Sequence, residues 1–472
     1  MTLHRPIAEP RSGIRRPLTL ALAVLMVLAL LVAGLGGGAQ LRAWGATPIR
    51  VGAVFPLSGS AGPLASQQEL GVEIARDLIN ARGGVDARPI ALEVRDLERG
   101  ADAPAVMASL KAAGVRVVIG TYASDLSMAA SAAANDAGLV YWEGGAVADR
   151  LTGRGLPLVF RVGASGTTLG SNSAAFAATQ LAPRLHRMPV DLRLAIVAAN
   201  DDYARSVADA AARTATAAGV RIVANATYSL TLPMWPRLMA RLAAARPDVI
   251  VLASHIPDGI AFRRAMLTAR LKVGALIGST MAECSPDFAG DLGPDAVGVF
   301  ASDRPTGGFR PGVLTPAARA AYERFAAAWA NAYPSPLATP GTPHDIGGTY
   351  GGGGEYKISG PAALRSAPEE PSEEGLSGFS AAWALFHDVL PLAASRGPLN
   401  PARIAEAARS MDLRSGTLPN GAGIRFSMDP ATLGQNERAV GVIWQWQAVR
   451  SYAFVWPASY ATGPVRMVPL PQ

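Results

Sequence analysis

Between Val115 and Val147 the chain reads VRVVIGTYASDLSMAASAAANDAGLVYWEGGAV, and the side chains able to do chemistry crowd its two turns. Thr121, Tyr122, Ser124 and Asp125 follow the apolar run that ends at Gly120, and Glu143 follows a second run, LVYW. A serine hydroxyl beside the first amides of an Ala-rich helix can hold a carboxylate or another small anion. By residue type Ser124 is equally a helix N-cap. Glu143 sits directly after strand residues that should be buried, where an unpaired charge is costly. It is therefore either ion-paired to Arg161 or Arg150, or left open to select a cationic group on a ligand. Tyr122 and Trp142 are core aromatics or lining for a small molecule.

These residues need a scaffold, and the segment supplies one. A buried strand, a hydroxyl-bearing loop, a helix and a second strand make a β-loop-α-β unit. In parallel α/β sheets ligands sit beyond the carboxyl ends of the strands, so both turns should open on one crevice. The same alternation runs through most of the chain. IRVGAVFP reads as a first strand, followed by a loop that carries Ser58. The helix after it places Leu70, Ile74 and Leu78 on one face and stops at Gly83-Gly84. IALEVRD and a helix begun near Asp102 and Pro104 lead into the opening unit. After Phe160–Gly163 the pattern restarts with RLAIVAAND, VRIVANATY, DVIVLAS, ALIGST and AVGVFAS, with helices between them. Late strands GVIWQWQ and SYAFVWP follow helices at 376–394 and 401–410. The expected fold is α/β: two doubly wound parallel-sheet lobes with a cleft between them. From Tyr333 to Gly375 proline, glycine and a short acidic run indicate a flexible insertion.

Several function classes are excluded. The formal charge of +7 includes +4 from residues 1–46, and the remainder has no basic run with interleaved aromatics, so nucleic acid is not an expected partner. The single cysteine, Cys284, rules out an intramolecular disulfide, and the five histidines are scattered without ligand spacing. Neither a metal nor a cofactor is expected. Gly351–Gly354 has no preceding strand and no following Gly-Lys-Ser/Thr, so it is not a phosphate loop. The GxGxxA match at Gly34–Ala39 lies inside an apolar run and is spurious. No GxSxG elbow exists, and Gly163-Ala164-Ser165-Gly166 has the wrong spacing for one.

At the amino terminus Arg5, Arg11, Arg15 and Arg16 precede the uncharged run Pro17–Ala39. Basic then apolar is the export pattern, read as a cleaved leader or a retained single span, with the body outside the cytoplasmic membrane.

With these residues in hand, the chain resembles the leucine/isoleucine/valine-binding protein family, the type I periplasmic receptors of ABC importers. The resemblance rests on VGAVFPLSG then INARGGV, VVIGTYAS, YWEGGAVADRLT then FRVGA, NDDYA, and a late QWQ strand pair before a proline. It implies two lobes that close on a ligand by hinge motion, no catalysis, permease subunits as partners, and a monomer. Its hinge crossings fall near Arg161–Ala164, Ser302–Pro305 and Thr417–Gly423. The lobes then comprise 47–162 plus 303–418, with the insertion at about 334–375, and 163–302 plus 419–460.

Family binding positions fall on Ser124 for a ligand carboxylate, with backbone from Tyr122 and Ala123. Gly145-Ala146-Val147 stands where the family has Ala-Ala-Thr, so a hydroxyl is missing. Leu64 replaces an aromatic wall. Tyr203 and His255 face from the second lobe, where each has an ordinary reading as a packed tyrosine and a satisfied loop histidine. The acid that would meet an ammonium is Glu283. The ligand implied is a small polar solute such as an amino acid, an amide or a related organic acid. A membrane-anchored sensor of the same fold is the alternative, and an extracytoplasmic hydrolase a more distant one.

Overall fold

The computed structural model describes residues 47–58, 61–332, 347–348, 356–357, 371–449 and 451–470. The apolar run Pro17–Ala39 and most of the Pro/Gly-rich segment lie outside the described residues. Among the described residues no helix is long and apolar enough to cross a membrane.

The first sheet contains β1 (Ile49–Phe55), β2 (Ile90–Asp96), β3 (Val117–Gly120), β4 (Val140–Glu143) and β5 (Val159–Arg161), all parallel, in the order β2-β1-β3-β4-β5. The second holds β6 (Arg193–Ala199), β7 (Arg221–Tyr228), β8 (Val249–Ala253), β9 (Ala275–Ser279) and β10 (Phe300–Asp303) in the order β7-β6-β8-β9-β10. A two-residue antiparallel pair, β11 (Gly347–Gly348) with β12 (Tyr356–Lys357), stands apart. β13 (Val442–Ala448) and β14 (Ser451–Trp456) then extend the second sheet antiparallel beyond β10. The sequence predicted two parallel α/β sheets, and two are present. Continuous apolar runs such as VVIG and VIVLA are buried along their whole length, as strands covered by helices on both faces must be.

Both sheets share one winding. In each, the first strand is central, the second lies to one side, and the rest are added on the other. The order therefore reverses between β1 and β3, and again between β6 and β8. At such a switch point two loops diverge and leave a crevice at the carboxyl ends of the strands. One crevice is bordered by Ser58 and Thr121–Ser124, the other by Asp201–Tyr203 and Ser254–His255.

Two departures from expectation have physical causes. The helix Gly62–Asn80 buries Ile74 as expected, together with Gln68, Gly71, Val72, Ala75 and Ile79, while Leu70 and Leu78 are only partly covered. Its small residues let another helix, Glu373–Trp383, approach closely: a side chain at Gly71 or Gly378 would run into the facing backbone. The acidic run Glu373-Glu374, expected to belong to the flexible insertion, instead opens that buried helix, which is capped by Ser372 accepting from the Gly375 amide.

Candidate interlobe binding site

Glu143 ends β4 fully buried, yet pairs with neither arginine expected for it. One carboxylate oxygen accepts the amides of Gly145 (2.7 Å) and Ala146 (2.9 Å). The other accepts the Tyr141 hydroxyl (2.9 Å) and the Thr121 amide (3.2 Å). Burial pushes the carboxyl up, and Ser127, the amides of Ala146 and Gly145, and the Tyr141 hydroxyl pull it partly back. Arg161 is spent on the carbonyls of Val147 and Ala148 and on Gln435 and Thr152, and Arg150 on Asp202. Glu143 therefore acts as a staple that folds its own loop and ties it to the loop after β3. It is not an open acid.

Ser124 has an analogous role. It opens the helix Ser124–Asp136, where no side chain caps the first turn, and its Oγ accepts the amides of Val147 (3.2 Å) and Ala148 (3.1 Å). The N-cap reading is thus replaced by a bond between the two loops, and no side chain caps the N–H groups of the first turn. Gly145, Ala146 and Val147 have committed their amides inward to Glu143 and Ser124. Tyr122 is buried with φ of 95°, a left-handed conformation that costs a non-glycine residue. Ala123 is the N-cap in extended backbone. Ser58 donates to Asp96 at the end of β2, which also accepts the Leu57 amide (2.8 Å). Trp142 is core, with its indole N–H on the Ala381 carbonyl (2.8 Å).

On the second sheet Tyr203 is buried, with its hydroxyl 2.9 Å from the Ser254 carbonyl and 3.1 Å from that of Ser279. It locks the ends of β8 and β9 and stacks edge-on to His255, ring centroids 5.2 Å apart. His255 lies between two carboxylates, Nε2 at 3.4 Å from Asp201 and Nδ1 at 3.8 Å from Asp258. Glu283 is fully buried beside Ser254, its carboxyl filling the space under Gly278. Burial pushes it up to about 8.

Sequence reasoning missed the residues between the sheets. Asp303 ends β10 and Arg304 follows, both buried. The Arg304 guanidinium donates to the Gly145 carbonyl, lies 3.4 Å from that of Gly144, and forms an ion pair with buried Glu373. Burial opposes its charge, but Glu373 and Asp303 outweigh that and hold it more firmly protonated than an ordinary arginine. Ser377 donates to the Gly144 carbonyl (2.7 Å) from the same helix as Glu373. Burial first, then Asp303, Glu283 and Glu373, push the half-buried Cys284 thiol up. The available signals were an Asp-Arg pair ending an apolar strand, and Ser-Glu-Glu before an apolar helix.

Hydrogen bonds that cross between the lobes include Arg150 to Asp202 (2.7 Å), the Asp149 amide to Ser206 Oγ (3.0 Å), the Thr167 amide to the Asp149 carboxylate (2.9 Å) and the Gly166 amide to the Val147 carbonyl (2.7 Å). The loops after β3 and β4 therefore face the second sheet's crevice across a shared space.

A family model described as "Periplasmic binding protein" matches residues 48–348. Leu/Ile/Val-binding protein homolog 8 of Brucella abortus is 28% identical over 401 residues, which is 84% of this chain and 88% of that protein. Among solved structures, the branched-chain amino acid transporter substrate-binding protein LivJ from Streptococcus pneumoniae, in complex with isoleucine, superposes with a TM-score of 0.63 at 18% identity, covering 87% of this chain and 100% of that one. An ABC transporter solute-binding protein from R. palustris in complex with benzoate gives 0.60 at 17% identity, covering 88% and 98%. The resemblance to Leu/Ile/Val-binding proteins is borne out, and the family is periplasmic, hence extracytoplasmic. The chain belongs to the periplasmic binding protein family.

Proposed function

We propose that the chain is the receptor of an ABC importer for a small solute carrying an ammonium group, an amino acid in the simplest case. The solute lies between the two sheets, and the observation that carries the reading is an imbalance of buried charge. Glu283, Asp303 and Glu373 are all buried, and the buried cation Arg304 pairs with Asp303 and Glu373 but not with Glu283, which keeps no cation partner among the described residues. A buried acid short of positive charge takes up a proton instead of staying charged: burial pushes the Glu283 carboxyl up, and it pushes Glu373 up as well although the ion pair with Arg304 pulls the other way. A ligand ammonium supplies the missing positive charge and displaces a proton. Its carboxylate end is met by the uncapped first turn of the helix Ser124–Asp136 and by the Ser124 hydroxyl hydrogen. Tyr203 and His255 border the space from the second sheet, and Glu143 contributes by holding the loop Gly145–Val147 in place. Isoleucine, bound to one solved relative, carries an ammonium, and benzoate, bound to another, does not, so the two ligands together test this reading.

The lobes close by bending at three passages, and the third lies later than the sequence suggests. Residues up to Asn436 still bond to β5 and its end, through the Arg161–Gln435 bridge and the Asn436 side chain on the Val162 carbonyl (2.9 Å). The chain joins the second sheet only at Val442. We therefore place the passages at Arg161–Ala164, Ser302–Pro305 and 437–441. Delivery is to permease subunits, the protein works as a monomer, and no bond is made or broken.

Calorimetry with leucine, isoleucine, valine and benzoate tests this. The expected result is binding of at least one amino acid with proton release near pH 7, and an affinity that rises with pH by up to about tenfold per unit until it levels above pH 8. The sign follows from a free-state carboxyl at about 8 that must be ionised to hold a cation. Tighter binding of benzoate than of every amino acid would refute the reading.

A further inference from the structure

At the end of the second sheet away from the strand carboxyl ends, Arg187, Arg193, Arg246, Asp248, Arg270 and Lys272 surround a groove of about 650 Å³. Arg193 begins β6, Asp248 immediately precedes β8, and Lys272 lies just before β9, so the groove runs along the amino-terminal edge of the sheet. Arg246 and Arg270 are the C-caps of the helices Trp235–Ala245 and Ile256–Ala269. Both have left-handed backbone, φ of 44° and 49°, the position at which helices ordinarily use glycine. An arginine accepted twice at that conformational cost suggests that its side chain has a use there.

The simpler reading is that basic residues at helix C-termini offset the helix dipoles. Arg193 does this, donating to the carbonyls of Arg246 (2.8 Å) and Ala245 (2.6 Å). Arg187 reaches Asp248 at 3.6 Å. That accounts for two of the five cations. The side chains of Arg246, Arg270 and Lys272 are exposed and make no hydrogen bond or ion pair among the described residues. Even with Asp248 and about half a unit of negative charge at each helix end, roughly three positive charges remain uncompensated. Directly beside Arg187, Met188 and Val190 are exposed at 66% and 58%, large apolar side chains in a loop with no cover among the described residues. Cations around a concave surface, next to protruding apolar side chains, match the phosphate and acyl layers of an anionic membrane face.

We propose that this groove docks the second lobe onto phosphate-bearing lipid headgroups, with Arg246, Arg270 and Lys272 on the phosphates and Met188 and Val190 at the acyl boundary. Docking at this edge leaves the space between the sheets unobstructed. The docked state does not depend on which solute the interlobe space takes.

The test is amide hydrogen exchange of the full chain with phosphatidylglycerol vesicles and with phosphatidylcholine vesicles. Any attachment through the apolar segment Pro17–Ala39 is common to both lipids, so local protection reports the groove. The expected result is slowed exchange at 186–193, 243–248 and 269–273 with phosphatidylglycerol alone, lost at high salt. In Arg246→Gly/Arg270→Gly that protection should vanish while the melting temperature holds or rises, because glycine relieves the left-handed backbone. Lys111→Glu/Arg310→Glu, which lowers charge away from the groove, should retain it. Equal exchange with the two lipids, or protection that survives in the glycine variant, overturns the proposal. Equal protection by free pyrophosphate over phosphatidylcholine would mean a soluble-anion site and overturn it too.

Discussion

Burial without a cation pushes the Glu283 carboxyl up to about 8, and that has a consequence for stability in the absence of ligand. An unfolded glutamate titrates near ~4.3, so between about pH 4.5 and 8 the folded chain keeps a proton that the unfolded chain has released. Stability from this group is therefore fully present at acid pH and is lost as pH rises through that window. Glu283→Gln should match the parent near pH 4 and be the more stable by a few kcal/mol at pH 8, because each tenfold change in proton affinity is worth about 1.4 kcal/mol. Urea denaturation across that range decides it, and parallel curves for the two proteins would remove Glu283 from the account. Glu143 is pushed the same way but has four donors to stabilise its charge. Residue type alone marked both acids as important, since an acid among apolar residues demands an explanation. It could not supply the partners. Those of Glu143 are mostly backbone amides, which no side-chain pattern announces, and Arg304 finds Glu373 across a long Pro/Gly-rich segment that hid the acid's context.

At the scale of elements, alternating strands and helices were legible because fully buried parallel strands are continuous apolar runs with little else in common. The helix Trp235–Ala245 lies between the strands VRIVANATY and DVIVLAS, where the alternation placed one. Which face a helix buries was less legible. Large apolar residues dominate any periodicity, so Leu70 and Leu78 looked like core, whereas contact with the helix Glu373–Trp383 is made where side chains are smallest. A Cβ at Gly378 would lie 2.1 Å from the Gln68 carbonyl oxygen, and one at Gly71 would lie 2.2 Å from that of Gly375. Backbone cannot yield as a flexible side chain does, so overpacking here forces the helices apart. Gly378→Ala should cost about 1–3 kcal/mol, read as a lowered melting temperature. Because the same helix carries Glu373 and Ser377 to Arg304 and Gly144, ligand affinity should fall with it. A variant as stable as the parent would show that the crossing is looser than the glycines imply.

Over the whole molecule, two sheets wound in the same order put two switch points opposite each other, and the alternation in the sequence was enough to anticipate that. The third passage, which we place after Asn436, has no strand pattern to mark it: Gln435 meets β5 through one isolated bridge to Arg161, and the Asn436 side chain bonds the Val162 carbonyl. Two contacts of unequal worth, one across the lobes and one within the first lobe beside the second passage, now separate surface decoration from structural bracing. Arg150 pairs with Asp202 in the open, at side-chain exposures of 67% and 30%, where solvent and salt screen the attraction. Arg304 reaches Glu373 and Gly145 where all are buried. Arg150→Ala should therefore weaken ligand binding by less than about fivefold, an effect that fades in high salt. Arg304→Met should destabilise the fold by about 3–5 kcal/mol by stranding Glu373, and Arg304→Met/Glu373→Leu should recover much of that loss. Affinity and melting temperature measured on all three variants test the distinction. A large, salt-resistant loss at Arg150, or no recovery in the double variant, would mean that the site is braced by contacts other than this buried pair.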